Sequence, residues 1–158
     1  MADTIEQKLT LLRADMSAHD LGAYIVPRAD EHLGEYVPPQ NERLHWISGF
    51  TGSAGMVIVL QESAAIFVDG RYTIQVRQQA PEELFEFHHL IEEPPIDWLA
   101  DTLTENAKVG LDARTIALSQ FETWHKTLRK ENIELVEISE NLIDKNWKDR
   151  PMSEQVQA

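Results

Sequence analysis

The chain has 158 residues, 42% hydrophobic and 26% charged, enough apolar content for one domain with its own core and a composition far from that of disordered chains. A net charge of −13 repels phosphate backbones and anionic lipid surfaces, which argues against nucleic acid and membranes as partners. The absence of cysteine removes disulfides, thiolate metal sites and a cysteine nucleophile, and fits a cytoplasmic protein. The opening MADTIEQKLTLLRADM carries charge throughout and does not read as a signal peptide, and no apolar run reaches membrane-spanning length.

Taken in chain order, Ile5, Leu9, Leu12 and Met16 make one apolar stripe and predict an amphipathic helix that ends at Asp20-Leu21-Gly22. Ala23 to Val26 reads as a buried strand stopped by Pro27. A short helix is expected from Asp30 to Tyr36, then a break at Pro38-Pro39. A helix from Asn41 to Ile47 follows, with Asn41 as its cap and Leu44 and Ile47 facing inward. Met56–Leu60 and Ala64–Val68 are apolar runs separated by Gln61-Glu62-Ser63, the pattern of an antiparallel hairpin. Asp69 caps a helix predicted over 70–79, which Pro81 ends. Leu84 to Leu90 alternates like a strand. Pro94-Pro95 precedes a helix that places Ile96, Leu99 and Leu103 on one face. Lys108–Leu111 is a strand, Ser119 the expected cap of a helix burying Phe121, Trp124 and Leu128, Ile133–Ile138 a strand, and Asn141–Trp147 a short helix. This alternation predicts an α/β fold, with a mixed sheet of five to six strands and helices on both faces. There is no internal repeat and no low-complexity segment. The polar stretch 149–158 reads as a linker cut short, leaving residues 1–148 as the domain.

Motifs for familiar chemistry fail on spacing. The segment Ser48-Gly49-Phe50-Thr51-Gly52-Ser53-Ala54-Gly55 runs G-x-x-G-x-x-G between a helix and a strand, whereas a dinucleotide fingerprint needs G-x-G-x-x-G between a strand and a helix. It lacks the lysine of a P-loop and the first glycine of a nucleophile elbow. Glycines at a tight turn account for it. His88 and His89 are neighbours in a strand and point to opposite faces, so they cannot easily share an ion. His32 and Glu35 are a legitimate ligand pair, but two ligands do not make a site, and His19, His45 and His125 are scattered. Paired acids such as Glu82-Glu83 and Glu92-Glu93 flank prolines and turns, where solvated charges belong. Trp46 breaks the Leu44/Ile47 spacing and is expected to be partly exposed, at a place where an aromatic can line a cleft. In Asp69-Gly70-Arg71-Tyr72, Asp69 is an ordinary cap, but Arg71 puts a cation in a first helical turn, against the macrodipole. It can pair with Asp69, or point at something acidic outside the domain.

Two segments together carry a family resemblance: Arg43-Leu44-His45-Trp46-Ile47-Ser48-Gly49-Phe50-Thr51-Gly52-Ser53-Ala54-Gly55, and Val68-Asp69-Gly70-Arg71-Tyr72 with Gln75. They resemble the N-terminal domain of the creatinase/prolidase/aminopeptidase P family, nearest to cytosolic-type Xaa-Pro aminopeptidases, and the similarity extends over about residues 3 to 150. The resemblance implies a parent enzyme that removes the first residue of peptides whose second residue is proline. Two divalent metals, Mn or Zn, would sit in a separate C-terminal catalytic domain, with no metal, cofactor or catalytic residue in this chain. It implies a domain that shapes substrate access and makes contacts with its own catalytic domain and, in a homo-oligomer, with other subunits. Arg71, Tyr72, Asp69, His45, Trp46 and Phe50 are the candidates for the cleft or domain interface. A stand-alone ligand-binding or interaction module of the same fold is the alternative, and a small hydrolase using Ser53 or a histidine is a third.

Overall fold

In a computed structural model, which describes residues 4–27, 42–51 and 55–147, the elements are α1 (Ile5–Ala18), β1 (Ala23–Pro27), α2 (Arg43–Ser48), β2 (Met56–Leu60), β3 (Ala64–Val68), α3 (Thr73–Gln79), β4 (Glu86–His89), α4 (Pro95–Thr102), β5 (Lys108–Leu111), α5 (Leu118–Arg129), β6 (Glu134–Glu137) and α6 (Leu142–Asn146). The described strands form one six-stranded sheet in the order β4-β3-β2-β1-β5-β6. β2 runs antiparallel to both β1 and β3, with Ile25 opposite Ile58 and Ile58 opposite Ala65, while β3/β4, β1/β5 and β5/β6 are parallel. The expected mixed α/β sheet and the 56–68 hairpin are therefore present.

The central strands are apolar on both faces, so both must be covered. Tyr24, Val26, Val57, Val59, Ile66 and Val68 enter one core with α1, α2, α3 and α6. Ala23, Ile25, Ile58, Ala65 and Phe67 point the other way, into a second core with α4 and α5. Handedness explains the division. The crossovers β4-α4-β5 and β5-α5-β6 travel one way across the sheet and β3-α3-β4 the other, so crossovers of one hand must put α3 opposite α4 and α5.

Local chemistry fixes the ends of the elements. Thr4 and Gln7 form a reciprocal capping box on α1, with Gln7 N–H donating to Thr4 Oγ1 at 3.2 Å and Thr4 N–H to Gln7 Oε1 at 2.8 Å. Arg13, on α1, donates to the carbonyls of Leu60 and Ser63 at 2.7 and 2.9 Å and so anchors the hairpin turn. The short helix expected from Asn141 begins one residue later, with Asn141 as its cap accepting from the N–H groups of Ile143 and Asp144, and its amide donates to Asp112 Oδ2 at 3.0 Å. Leu142 N–H donates to the buried Tyr24 hydroxyl, whose pKa burial pushes well above the usual phenol value. A fork from Arg43 to Asp144, at 2.8 and 2.9 Å, joins α2 to α6 across 101 residues.

Several expected boundaries shift. Arg43, not residue 41, begins α2, and the cap position is Glu42, without a side-chain bond; Asn41 lies outside the described residues, as do 28–40 with the expected 30–36 helix and the His32/Glu35 pair, and the 149–158 stretch. Ser119 is not a cap. The chain arrives extended through Ile116, which is buried, so α5 opens one residue before Ser119 with Ala117 at the cap position. Leu128 is buried on α5, whereas Phe121 and Trp124 are half-buried. The 84–90 strand contracts to β4 because Leu84 and Phe85 close a turn onto the Pro81 carbonyl. The predicted 70–79 helix is a 3₁₀ turn, Gly70–Tyr72, followed by α3. Among the described residues no helix is long and apolar enough to cross a membrane.

Two outcomes follow from this packing. Leu12→Ala, at a fully buried position, should cost about 2–5 kcal/mol in urea unfolding, whereas Ile91→Ala, 72% exposed, should shift stability by less than about 0.5 kcal/mol. Burial raises the Asp112 carboxyl pKa, but hydrogen bonds from Arg114 and Asn141 outweigh it and hold the group below the usual carboxylate range. Its stabilisation is complete above the unfolded-state pKa of about 3.9 and is lost as pH falls from there through the lower folded value. Unfolding midpoints measured from neutral pH down to about pH 3 should therefore fall more steeply for the native chain than for Asp112→Asn.

Candidate functional site

The two segments singled out in the sequence lie side by side. α2 ends where Gly49 adopts φ +84°, and a Cβ there would stand 2.9 Å from the Gln79 carbonyl at the end of α3. This backbone approach seats the start of the glycine-rich loop against α3. Phe50 then points inward, 1% exposed, and meets Tyr72 edge-on at 5.5 Å. Thr51 N–H and the Gln75 amide both donate to Gln79 Oε1, at 2.9 and 3.2 Å, while Gln75 and Gln79 both donate to the Thr51 hydroxyl. This Thr51–Gln75–Gln79 cluster is the polar seam between the segments. It gives Gln75 a role and adds Gln79, which sequence reasoning missed although it lies four residues on, one turn away on the same helix face.

At the end of β3, Asp69 accepts from the backbone N–H of Arg71 at 2.9 Å and pairs with its guanidinium, Nη2–Oδ2 2.8 Å. The paired guanidinium holds the Asp69 carboxyl below the usual range, and the carboxylate raises Arg71 in return. The Arg71 side chain remains 68% exposed and lies over the Tyr72 ring at 5.1 Å. The cation that looks misplaced for a helix start thus belongs to a 3₁₀ turn and carries its own counter-charge. Such a corner offers a flat guanidinium of fixed orientation with an aromatic beneath it. It can recognise a surface, and it contains no nucleophile with a base beside it.

The remaining candidates divide. His45 is exposed on α2. Trp46 is 7% exposed rather than partly open. Trp147 packs on it with ring centroids 6.1 Å apart, and Lys8 both covers its ring and donates to its carbonyl. Phe50 is likewise core, so both aromatics lie beneath the surface. His88 stacks on Phe67 at 4.9 Å and contacts Glu93 and Glu86, while His89 turns the other way and accepts from the N–H groups of Ile91 and Glu92. Among the described residues no three His, Asp or Glu side chains come together in a way that can hold a metal ion. Ser53 lies outside the described residues.

The Asp-X-Arg corner occurs twice. β5 is followed by Asp112-Ala113-Arg114, where Asp112 again caps a 3₁₀ turn. Asp112 accepts from Arg114 N–H at 3.0 Å and pairs with the same guanidinium at 2.8 Å. This short recurrence is readable in the sequence once both strands are placed, though it is too brief to register as a repeat.

The model of the Creatinase/Prolidase N-terminal domain matches residues 8–145. The chain belongs to this family. Aminopeptidase P1 of Lotus japonicus is 35% identical over 95% of this chain, and human Xaa-Pro aminopeptidase 2 is 37% identical over 88%. The chain spans 23% and 21% of those two relatives. Among solved structures, an X-prolyl aminopeptidase from Caenorhabditis elegans, described as a cytosolic enzyme with a di-nuclear active site, superposes with TM-score 0.86 at 28% identity, over 95% of this chain and 26% of that one. The creatinase/prolidase N-terminal fold is thus shared with enzymes about four times longer.

Gly49 and Gly70, one from each signature segment, should respond differently. Gly49→Ala forces both a left-handed backbone and a 2.9 Å contact with Gln79, and should cost about 1–3 kcal/mol in chemical unfolding. Gly70→Ala, where a Cβ would meet only His89 Nε2 at 3.5 Å, should be close to neutral in the same measurement.

Proposed function

We propose that this chain is the non-catalytic N-terminal domain of a metal-dependent Xaa-Pro aminopeptidase, and that the Asp69–Tyr72 corner faces the catalytic region or a neighbouring subunit of the assembled protein. The observation that carries the reading is the family match over almost the whole chain, combined with coverage of under a quarter of relatives named as Xaa-Pro aminopeptidases. In this reading the parent acts in the cytoplasm as a homo-oligomer on peptides with proline in second position. Its two divalent ions are held by residues outside this chain. The Arg71 corner supports an outward role because the guanidinium is oriented by Asp69 and Tyr72 yet stays accessible. His45 is the other accessible candidate, and Trp46 and Phe50 set the shape of the surface from below.

Assayed with an Xaa-Pro peptide and Mn²⁺, the isolated chain should show no turnover and no micromolar one-to-one metal binding by calorimetry, while the parent enzyme hydrolyses the peptide. Turnover by the isolated chain would defeat the reading. Arg71→Ala should leave the thermal midpoint of the isolated chain nearly unchanged, since exposed pairs contribute little. In the parent the same change should lower kcat/KM or weaken subunit association.

A further inference from the structure

β4 ends in two adjacent histidines that face opposite sides of the sheet. His88 stacks on Phe67 and meets the carboxylates of Glu86 and Glu93. His89 is half-buried and has the opposite kind of partner. Its Nδ1 accepts from the backbone N–H groups of Ile91 and Glu92, both at 3.2 Å, and its own carbonyl accepts from Glu93 N–H at 2.8 Å. One residue thus holds the turn between β4 and α4 through both its ring and its main chain. A ring nitrogen that accepts N–H groups carries no proton, so His89 is neutral with its hydrogen on Nε2. Nε2 lies beside Gly70, 3.5 Å from where a Cβ on that residue would stand, which sets the ring against the Asp69–Tyr72 corner.

We infer that His89 is an acid-sensitive latch: neutral, it closes the turn over residues 90–93, and protonated, it releases the Ile91 and Glu92 N–H groups and lets the turn open. An imidazolium has two donors and no acceptor, so protonation sets an N–H against the two it formerly received. Histidine is the side chain whose ordinary charge change falls between about pH 5 and 8. The latch is therefore complete on the alkaline side of that range and is lost as pH falls through it. The charged groups around the ring are Asp69 and Arg71 at the end of β3, Arg77 of α3, which lies over Phe87 on the same face of β4, and His88, Glu92 and Glu93 of the strand and turn. The carboxylates attract an imidazolium and the two arginines repel it. None of these charges restores an acceptor at Nδ1, so the contact to Ile91 and Glu92 breaks whatever their sum. His88 responds in the opposite sense. Protonated, its ring donates to both Glu86 and Glu93, which strengthens the far side of the turn and confines the opening to residues 90–92. The inference concerns this chain alone and does not depend on what the Asp69–Tyr72 corner faces.

Nuclear magnetic resonance on the 158-residue chain tests this, with the histidine ring nitrogens read alongside the amides between about pH 8 and 5, above the range in which ordinary carboxylates titrate. At pH 8 His89 should show the Nε2–H tautomer. On acidification its ring and the Ile91 and Glu92 amides should shift along one curve. Solvent exchange of those two amides, taken relative to an unstructured peptide at the same pH, should speed up by about fivefold or more. The amide of Leu99, buried within α4, is the reference and should not change. His89→Asn, whose side-chain carbonyl can accept from the same N–H groups without titrating, should keep both amides slow at pH 5, whereas His89→Phe should leave them fast at pH 8. His88→Gln should preserve the response. An Nδ1–H tautomer at pH 8, a ring still neutral at pH 5, or amides that do not change when the ring becomes charged would each overturn the inference on the native chain alone, so a variant that fails to fold does not remove the test. A pH response that survives in His89→Asn or vanishes in His88→Gln would overturn it too, by assigning the change to the carboxylates or to His88.

Discussion

β1, β2 and β3 carry apolar side chains on both faces, and this obligation to cover the sheet twice organises the rest of the molecule. A strand such as Met56–Leu60, buried at every position, is stable only with helices on each side. Because crossover connections have one hand, the direction in which the chain leaves each strand decides which face its helix covers. α3 goes with α1, α2 and α6, and α4 with α5. Among the described residues, buried polar groups include the Arg43–Asp144 fork and the set of Asp112, Asn141 and Tyr24 that fixes the start of α6. α6 is only five residues long and has little intrinsic helix stability. Its position depends on those buried contacts, and it in turn closes the core over α1 and α2.

Much of this was readable from spacing alone. The stripe of Leu9, Leu12 and Met16 and the 56–68 hairpin each depend on residues close in sequence, where the periods of helix and strand act directly. The failures have equally local or plainly non-local causes. Ser119 has cap chemistry but lies two residues past the cap position, Ala117, because burial of Ile116 sets the phase of α5. Trp46 was misplaced because the residue that covers it, Trp147, lies about a hundred positions away in sequence. The Arg43–Asp144 fork shares that problem, since no sequence pattern brings such partners together.

The candidate site divides along the same line. The two signature segments could be named in the sequence, and so could the unusual setting of Arg71. That Phe50 meets Tyr72, and that Thr51, Gln75 and Gln79 form one seam, depends on Gly49 and Gln79 approaching closely in space. The second Asp-X-Arg corner shows the reverse. Its letters are plain in the sequence, but that it matches the first corner in position emerges only when β3 and β5 are seen to end on the same side of the sheet.

The outermost strands have one more effect. β4 and β6 are only four residues long, and both bear exposed glutamates: Glu86 on one, Glu134 and Glu137 on the other. Short borders studded with negative charge are poor templates for adding a foreign strand. Two copies meeting flank to flank would bring acid against acid instead of extending the ladder. The lateral boundaries therefore act as insulation against runaway fibril growth.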